Sequence, residues 1–447
     1  MAEAIVHVIG GGLAGSEAAL HAARYPVRVI LHEMKPKVFS PAHQLSDLAE
    51  LVCSNSLRSN APGTPAGELK REMRRAGSIV IGTADLHAVP AGQALAVDRA
   101  LFSRAVTDRI EAQPRIEVRR EEVTEIPEEG IVVIATGPLT SEALAMRIGR
   151  LLGKRSLYFY DAISPIVYAD TVDFSLLFRA SRYGKGEDDY VNIPLGKDAY
   201  EAFVGALAQG ESVAPYEFEK AIYFEGCLPV EVLAGRGPET LAHGPMKPVG
   251  LVDPRTGRRP HAVVQLRQEN KEGTLLSLVG FQTKLRYPEQ ERIFRSLPGL
   301  ENARFARLGS VHRNTYIVSP LFLDAALRLR KDPRILFAGQ MTGVEGYVES
   351  AALGIVAGWN AGRLASGLPP ATPPPTTAIG ALLAYVSGAS PDNFQPMNIN
   401  YGLFAPLEEP AKETRGRRRA LARSRLLERA ARDFDTWLEA QGLPPIG

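Results

Sequence analysis

Cysteine is scarce in this chain. Cys53 and Cys227 are the only two among 447 residues. That is too few for a disulfide framework or a cysteine-based zinc site, and no metal centre is expected. Long apolar runs are missing as well. None approaches the roughly 18 residues that a membrane helix needs, so no membrane association is expected. The N-terminus carries Glu3 and then a strand-like run, with neither a basic region nor a long apolar stretch. No signal peptide is expected, which makes the cytoplasm the default location and a disulfide out of place. A large net charge is also absent: 52 Lys and Arg stand against 50 Asp and Glu, leaving +2. With 45% hydrophobic and 23% charged residues, the composition excludes disordered and collagenous classes and matches a globular enzyme. The length suggests three domains or fewer.

The charge is unevenly spread. Between residues 412 and 432 nine Lys and Arg accompany two Glu. A basic tail on a mildly acidic body invites a polyanionic partner. A solvated helix face is the plain alternative.

Periodicity divides the rest. Residues 5–9 are an apolar run suited to a buried parallel strand. A glycine cluster follows, then an Ala-rich stretch, 13–23, at helical spacing. A second strand is expected over 27–31, with Pro26 ending the helix before it. Residues 69–75 read as helical, and 89–97, with Pro90 and Gly92, as a turn or irregular strand. Asp98 is placed to cap a helix over 99–110. Strands are expected at 116–123 and 131–135. From about residue 164 to 304 strands shorten, glycine and proline are frequent and aromatics cluster. A buried strand returns at 335–338 and leads into a small-residue helix over 347–364. Five prolines within 369–375 predict an extended connector. Residues 417–439 have helical spacing. The expected fold is α/β: a glutathione-reductase-type Rossmann FAD-binding domain built from two stretches of chain. Residues 1–163 form one stretch and residues 305–447, with the basic C-terminal helix, form the other. An inserted α+β domain at 164–304 separates them.

The case for a dinucleotide rests on Gly10-Gly11-Gly12-Leu13-Ala14-Gly15, which matches G-x-G-x-x-G. Gly10 permits the turn after the strand. Gly12 lets the backbone approach a pyrophosphate, and Gly15 lets the helix pack on the sheet. The phosphates would sit at the helix N-terminus, where free N–H groups favour anions. Glu33 ends the second strand, about where a carboxylate accepts hydrogen bonds from a ribose. A ligand-free glycine turn is the competing reading. FAD is favoured over NAD by two further strand ends, Ala135-Thr136-Gly137 and Phe337-Ala338-Gly339. The second continues as Gln340-Met341-Thr342-Gly343-Val344-Glu345-Gly346-Tyr347-Val348-Glu349. Small residues there allow close approach to a flat ring, and the helix N-terminus can stabilise negative charge on a reduced flavin. Many flavoproteins have Asp where this chain has Gln340. Tight helix–sheet packing explains the glycines equally, but not Tyr347 and the glutamates.

The segment 339–354 resembles the flavin- and folate-using tRNA-modifying group. Ala49-Glu50-Leu51-Val52-Cys53-Ser54-Asn55-Ser56-Leu57-Arg58-Ser59-Asn60 resembles the folate-dependent, FAD-using tRNA (uracil-5-)-methyltransferases within it. So do Val89-Pro90-Ala91-Gly92, Leu95-Ala96-Val97-Asp98-Arg99, Gly137-Pro138-Leu139-Thr140-Ser141 and Phe224-Glu225-Gly226-Cys227-Leu228-Pro229. The likeness runs through about Leu403. It departs at Tyr25-Pro26, where such fingerprints often carry Gly. The larger wobble-uridine relative typically has an additional helical C-terminal domain.

This resemblance implies a reaction. The T-loop uridine at tRNA position 54 becomes 5-methyluridine, with methylenetetrahydrofolate as carbon donor. Reduced FAD serves as reductant and methylene carrier, and NAD(P)H re-reduces it. Cys227 is implied as the thiolate that adds to uracil carbon 6, activating carbon 5. Cys53 is implied beside the flavin, assisting it or removing the carbon 5 proton. By residue type alone an inert buried cysteine is the commoner outcome. Tyr347, Phe281, His312 and Arg313 are candidates for folate by type, and Arg267, Lys271 and Lys284 for folate or RNA. The implied partners are tRNA, folate and NAD(P)H, with no obligatory protein partner. Three other readings fit the same residues: the wobble-uridine enzyme, a small-molecule NAD(P)H:FAD oxidoreductase, and an RNA-binding protein keeping FAD as a structural element.

Overall fold

The computed structural model describes residues 4–153, 156–184, 187–213, 228–407 and 415–442. Its first sheet opens with β1 (Ile5–Ile9), crosses through helix α1 (Leu13–Ala22) and returns as β2 (Arg28–Glu33), parallel to β1. Four more strands complete it. In spatial order the sheet runs Arg328–Leu329, Asp332–Phe337, Ile131–Ile134, β1, β2, Ile116–Arg120. Only the short Arg328–Leu329 edge is antiparallel. The central strands are near-continuous apolar runs because helices cover both faces.

One helix–helix contact fixes this unit. The Tyr347–Ala365 helix lies on α1, and its glycines set the spacing. A Cβ at Gly354 would lie 2.3 Å from the Ala14 carbonyl oxygen, and one at Gly358 2.4 Å from that of Ala18. The helix is rich in small residues because the two backbones touch. Trp359, fully buried, fills the space further along. The helix Pro65–Ala76 begins at Thr64, whose Oγ1 accepts from Gly67 N at 3.1 Å. Asp98 caps the Arg99–Glu111 helix by accepting from Leu101 N.

The chain leaves the first sheet on a two-stranded ribbon, Ser156–Ala162 paired with Val311–Ile317. Beyond it lies a second six-stranded sheet, antiparallel throughout, in the order Phe178–Arg179, Tyr190–Leu195, Ala262–Gln268, Leu275–Leu278, Ile166–Tyr168, Phe305–Arg307. Its last strand falls just past residue 304, because Phe305–Arg307 returns to pair with Ile166–Tyr168. This sheet has its own core, in which Phe203, Phe281 and Phe294 meet ring to ring. The irregular stretch around Pro90 and Gly92 resolves into two short strands, Ala88–Val89 and Ala94–Val97, joined with Ser56–Ser59 in a small third sheet. The C-terminal helix, Arg415–Gln441, packs on Pro65–Ala76. Among the described residues no helix is long and apolar enough to cross a membrane.

Candidate functional site

The glycine turn has three distinct geometries. Gly10 has φ +101°, and a Cβ there would lie 2.7 Å from the Ala135 carbonyl oxygen. At Gly15 a Cβ would lie 1.7 Å from Gly10 O, so only glycine lets α1 sit this close to the sheet. Gly12 differs. Among the described residues a Cβ there meets nothing within 4 Å, and no side chain caps the N-terminus of α1 that Gly12 begins. The open space in front is a cleft bordered by Gly10–Gly12, Glu33, Lys35 and Thr136. Free N–H groups at an uncapped helix start are an anion site.

Glu33 is buried in the same cleft. Its Oε2 accepts Gly11 N at 2.9 Å and its Oε1 accepts Lys35 N at 2.9 Å. Each carboxylate oxygen has two lone pairs, so both retain capacity for ribose hydroxyls. Beside it His32 Nδ1 meets Glu121 Oε1 at 2.9 Å, and its ring stacks on His7. Burial and the neighbouring His32 bring the His7 imidazole down to about 4, so it is neutral at pH 7. The cleft fits the expected FAD: an open backbone for the pyrophosphate, an unfilled helix terminus and a fixed acceptor for the ribose.

A second cluster adjoins the first. Gly339, Gly343 and Gly346 all have positive φ, at +79°, +83° and +111°. A Cβ at Gly339 would lie 2.9 Å from Ala14 Cβ, so this turn rests directly on α1. Gln340 Nε2 donates to Glu345 Oε2 at 2.7 Å, which gives the residue in the usual Asp position a local partner. Gly346 precedes Tyr347, whose hydroxyl oxygen accepts Cys53 N at 2.7 Å and Ser54 N at 3.2 Å. Burial and the adjacent Cys53 push the Tyr347 hydroxyl well above its ordinary range, keeping it a neutral acceptor. Two residues on, Glu349 is fully buried. Its Oε1 accepts from Arg58 Nη1 at 2.9 Å and Ile399 N at 3.1 Å. Burial raises its carboxyl, opposed chiefly by Arg58.

The Cys53 loop is gripped from the second sheet too. Arg267, buried, donates through Nε to Asn55 Oδ1 at 3.0 Å and through Nη2 to Ser54 Oγ at 2.9 Å. Asn55 Nδ2 donates to Val97 O and to Gln268 O, both at 3.0 Å. Arg99 pairs with Glu269 at 2.7 Å and reaches Leu51 O at 2.9 Å. Arg307 Nη2 donates to Ala42 O at 3.1 Å. Burial works against the Arg307 charge, and Arg99 adds repulsion, while Tyr347, Glu50 and Cys53 oppose both. Cys53, half-buried, thus sits at a seam where both sheets and the Tyr347 helix converge.

The structure brings Gly10, Gly11, Gly12, Leu13, Ala14, Gly15, Glu33 and Thr136 to one cleft or its helix, and Gly339, Gln340, Gly343, Gly346, Tyr347 and Cys53 to the adjoining seam. Gly137, φ +65°, begins the turn that Thr140 closes by donating to its carbonyl at 3.0 Å. Cys227 lies outside the described residues. His312 and Arg313 lie on the ribbon strand opposite Asp161 and Tyr160, and their side chains also fall outside the description. Two readings by residue type are corrected, those for Phe281 and Arg267. Phe281 is a fully buried core ring, because it closes the aromatic cluster of the second sheet. Arg267 is committed to Asn55 and Ser54. Lys271, exposed at the surface, donates through its backbone to Asp98 and through Nζ to Leu86 O. The residues that sequence reasoning passed over are Glu269, Arg307 and Tyr190. Arg99 stood inside a quoted motif without a role; Arg307 had no local signal at all.

A parallel sheet with a glycine-turn cleft and an antiparallel sheet inserted across a ribbon define a Rossmann-type flavoprotein. Comparisons narrow the class. The model of the family described as glucose inhibited division protein A matches residues 5–369. A methylenetetrahydrofolate–tRNA-(uracil-5-)-methyltransferase TrmFO of Geobacter sulfurreducens is 60% identical over 434 residues, covering 97% of this chain and 98% of its own. That of Desulforamulus reducens is 55% identical over 446 residues, the whole of both chains. Among solved structures, Aquifex aeolicus GidA in its form II crystal superposes with a TM-score of 0.70 at 19% identity, covering 97% of this chain and 73% of that one. This chain belongs to the glucose inhibited division protein A family, in the branch of its folate-dependent tRNA (uracil-5-)-methyltransferases.

Proposed function

We propose that this protein methylates the T-loop uridine at tRNA position 54 to 5-methyluridine in the cytoplasm, using methylenetetrahydrofolate, FAD and NAD(P)H. The observation that carries the reading is the identity of 55–60% across nearly the whole chain with enzymes of that name. The seam supports it, since it fixes a cysteine loop against the helix start where the ring system of the cofactor belongs. When bound, FAD supplies hydride and carries the one-carbon unit, chemistry that no side chain can provide.

The residues of the chain do the rest. The start of α1 and Gly12 hold the pyrophosphate, and Glu33 holds the ribose. Cys227 adds as thiolate to uracil carbon 6, forming an S–C6 bond and making carbon 5 nucleophilic. Once carbon 5 has taken up the one-carbon unit, Cys53 as thiolate accepts the carbon 5 proton; when that unit has been reduced to a methyl group, the C5=C6 bond re-forms and the Cys227 sulfur leaves as thiolate. Tyr347 and Arg267 position Cys53 by holding the backbone and the neighbouring Ser54.

The test combines unmodified tRNA, methylenetetrahydrofolate labelled in its methylene carbon and NAD(P)H, omitting folate and reductant in turn. Labelled 5-methyluridine that needs both additions is the expected product. Oxidation of NAD(P)H with no label in tRNA would overturn the reading in favour of a small-molecule oxidoreductase. Cys227→Ala is expected to lose methylation while keeping FAD; normal turnover removes its role as nucleophile.

A further inference from the structure

The chain between Glu33 and Ser56 forms neither helix nor strand, yet it leads directly from the cofactor cleft to Cys53. A connection of this length without regular structure keeps one shape only where specific contacts hold it. Those contacts start at Glu33, the carboxylate placed for the ribose. One path runs through the backbone. Gly11 donates its N–H to Glu33, and its carbonyl accepts Ala49 N at 2.9 Å. The other path is a buried ion pair. Glu33 holds the N–H of Lys35, and the Lys35 ammonium donates to Asp47 O at 2.6 Å and to Glu50 Oε2 at 3.3 Å. The side chains of Lys35 and Glu50 are only 2% and 5% exposed.

Glu50 gathers the loop around itself. Its Oε1 accepts Gln44 N at 2.8 Å and its Oε2 accepts Leu45 N at 3.1 Å. Nearby, Leu48 N donates to Thr107 Oγ1 at 2.8 Å, and the Leu48 side chain covers Gly11. Both paths from Glu33 therefore end at Ala49 and Glu50, just upstream of Cys53. Downstream of the thiol the anchor is different: Arg267 of the second sheet holds Ser54 and Asn55. Cys53 thus lies between one anchor that belongs to the second sheet and one that belongs to the cofactor cleft. Removing either partner of a buried ion pair leaves an uncompensated charge, so Lys35 and Glu50 keep their arrangement together or lose it together.

We propose that Lys35 and Glu50 are positioning residues that couple occupancy of the ribose site at Glu33 to the placement of Cys53, so that the thiol is set for chemistry when the cofactor is seated. A ligand shifts such an equilibrium only by binding one arrangement better than the other. Glu33 meets that condition, because the carboxylate that accepts ribose hydroxyls is the one that fixes Gly11 N and Lys35 N. The inference rests on the reading of the cleft as the FAD site and of Cys53 as a working residue of the seam.

The test uses flavin-free, full-length protein carrying Cys227→Ala, in which Cys53 is the one remaining thiol. ADP is the probe, because it fills the ribose and pyrophosphate sites and lacks the ring that would shield Cys53 directly. Saturating ADP is expected to slow alkylation of Cys53 by iodoacetamide about tenfold, an ordinary size for coupling between two sites. In Lys35→Met and in Glu50→Gln the slowing should shrink to less than about twofold, while Lys35→Arg, which keeps the cation, retains it. The ratio of rates with and without ADP is the readout, since a merely structural role raises both rates by one factor and leaves their ratio intact. Circular dichroism and ADP calorimetry on each variant separate a lost ratio from a lost fold. Glu50→Gln, the milder change, carries the test should Lys35→Met fail to fold. In the FAD-loaded enzyme with Cys227 intact, Glu50→Gln should lower kcat about tenfold and leave the KM for tRNA unchanged. A wild-type ratio in both variants overturns the proposal and leaves the Gly11–Ala49 hydrogen bond as the link. ADP that binds without slowing alkylation overturns the coupling and leaves the cofactor site standing. ADP that does not bind overturns the cofactor site and the coupling with it.

Discussion

In the cleft around β1 and α1, the working residues are neighbours in the chain. Gly10 to Gly15 are consecutive, and their contacts are backbone to backbone, with a Cβ at Gly15 excluded by Gly10 O at 1.7 Å. At the seam, Cys53 is held by Tyr347, 294 positions away, and Asn55 by Arg267, 212 positions away. The cleft is shaped by excluded volume and unfilled N–H groups. The seam is shaped by charged side chains withdrawn from water, which are costly to leave unpaired. The first should therefore be sensitive to side-chain size, and the second to charge and pH.

The largest effect expected separates fold from ligand within the cleft itself. Gly15→Val drives side-chain atoms into the Gly10 carbonyl and should leave no folded, flavin-containing protein. A Cβ at Gly12 meets no atom within 4 Å among the described residues. Gly12→Val should melt within a few degrees of wild type yet purify without its yellow colour. Retained stoichiometric FAD in Gly12→Val would erase the distinction.

At the seam, Arg267→Ala strips Asn55 and Ser54 of a buried donor. A loss of about 1–3 kcal/mol by denaturant titration is expected. Methylation should fall much further than FAD content, because the Cys53 loop loosens while the cleft is untouched. Equal loss of both would mean that seam and cleft are one unit.

Lys70 shows the electrostatic character of the seam side. It is fully buried, donates to Ser59 O at 2.7 Å, and its ammonium is brought down by burial to about 8, against the pull of Glu349. The folded protein then holds this proton less tightly than the unfolded chain does. Stability from this group is present above about pH 10.5 and is lost as pH falls through 8. Wild type should gain roughly 3 kcal/mol between those values relative to Lys70→Met. Parallel pH profiles would count against a buried charge there.

The smallest effect concerns the C-terminal helix. Asp435 pairs with Arg71 at 3.1 Å and Arg75 at 3.0 Å, all partly exposed. Asp435→Asn should cost less than about 1 kcal/mol. It should leave tRNA affinity within twofold, since Asp435 contributes to docking of the helix and not to RNA binding. A large fall in affinity would return the helix to the RNA interface.

Much of the cleft was legible because its causes are local. A glycine at a turn, a glycine under a helix and a carboxylate at a strand end are separated by short, fixed lengths of chain. The capping role of Asp98 was readable for the same reason. The seam was only partly legible. Cys53 and Tyr347 stood out as motif residues, but their contact did not, and Phe281 and Arg267 were assigned by type to a ligand although one closes a core and the other binds Asn55. A side chain of given type can serve a core, a seam or a ligand, and the sequence position alone does not choose among them.

The sequence by itself determined the βαβ unit, the glycine turn and the small-residue helix, because hydrophobic period, turn chemistry and the absence of a Cβ act within a few residues. Only the tertiary structure decided which arginines are buried at the seam and which brace the C-terminal helix. Those outcomes depend on which carbonyls and carboxylates arrive from hundreds of residues away, since a guanidinium withdrawn from water stays buried only where the fold supplies its partners.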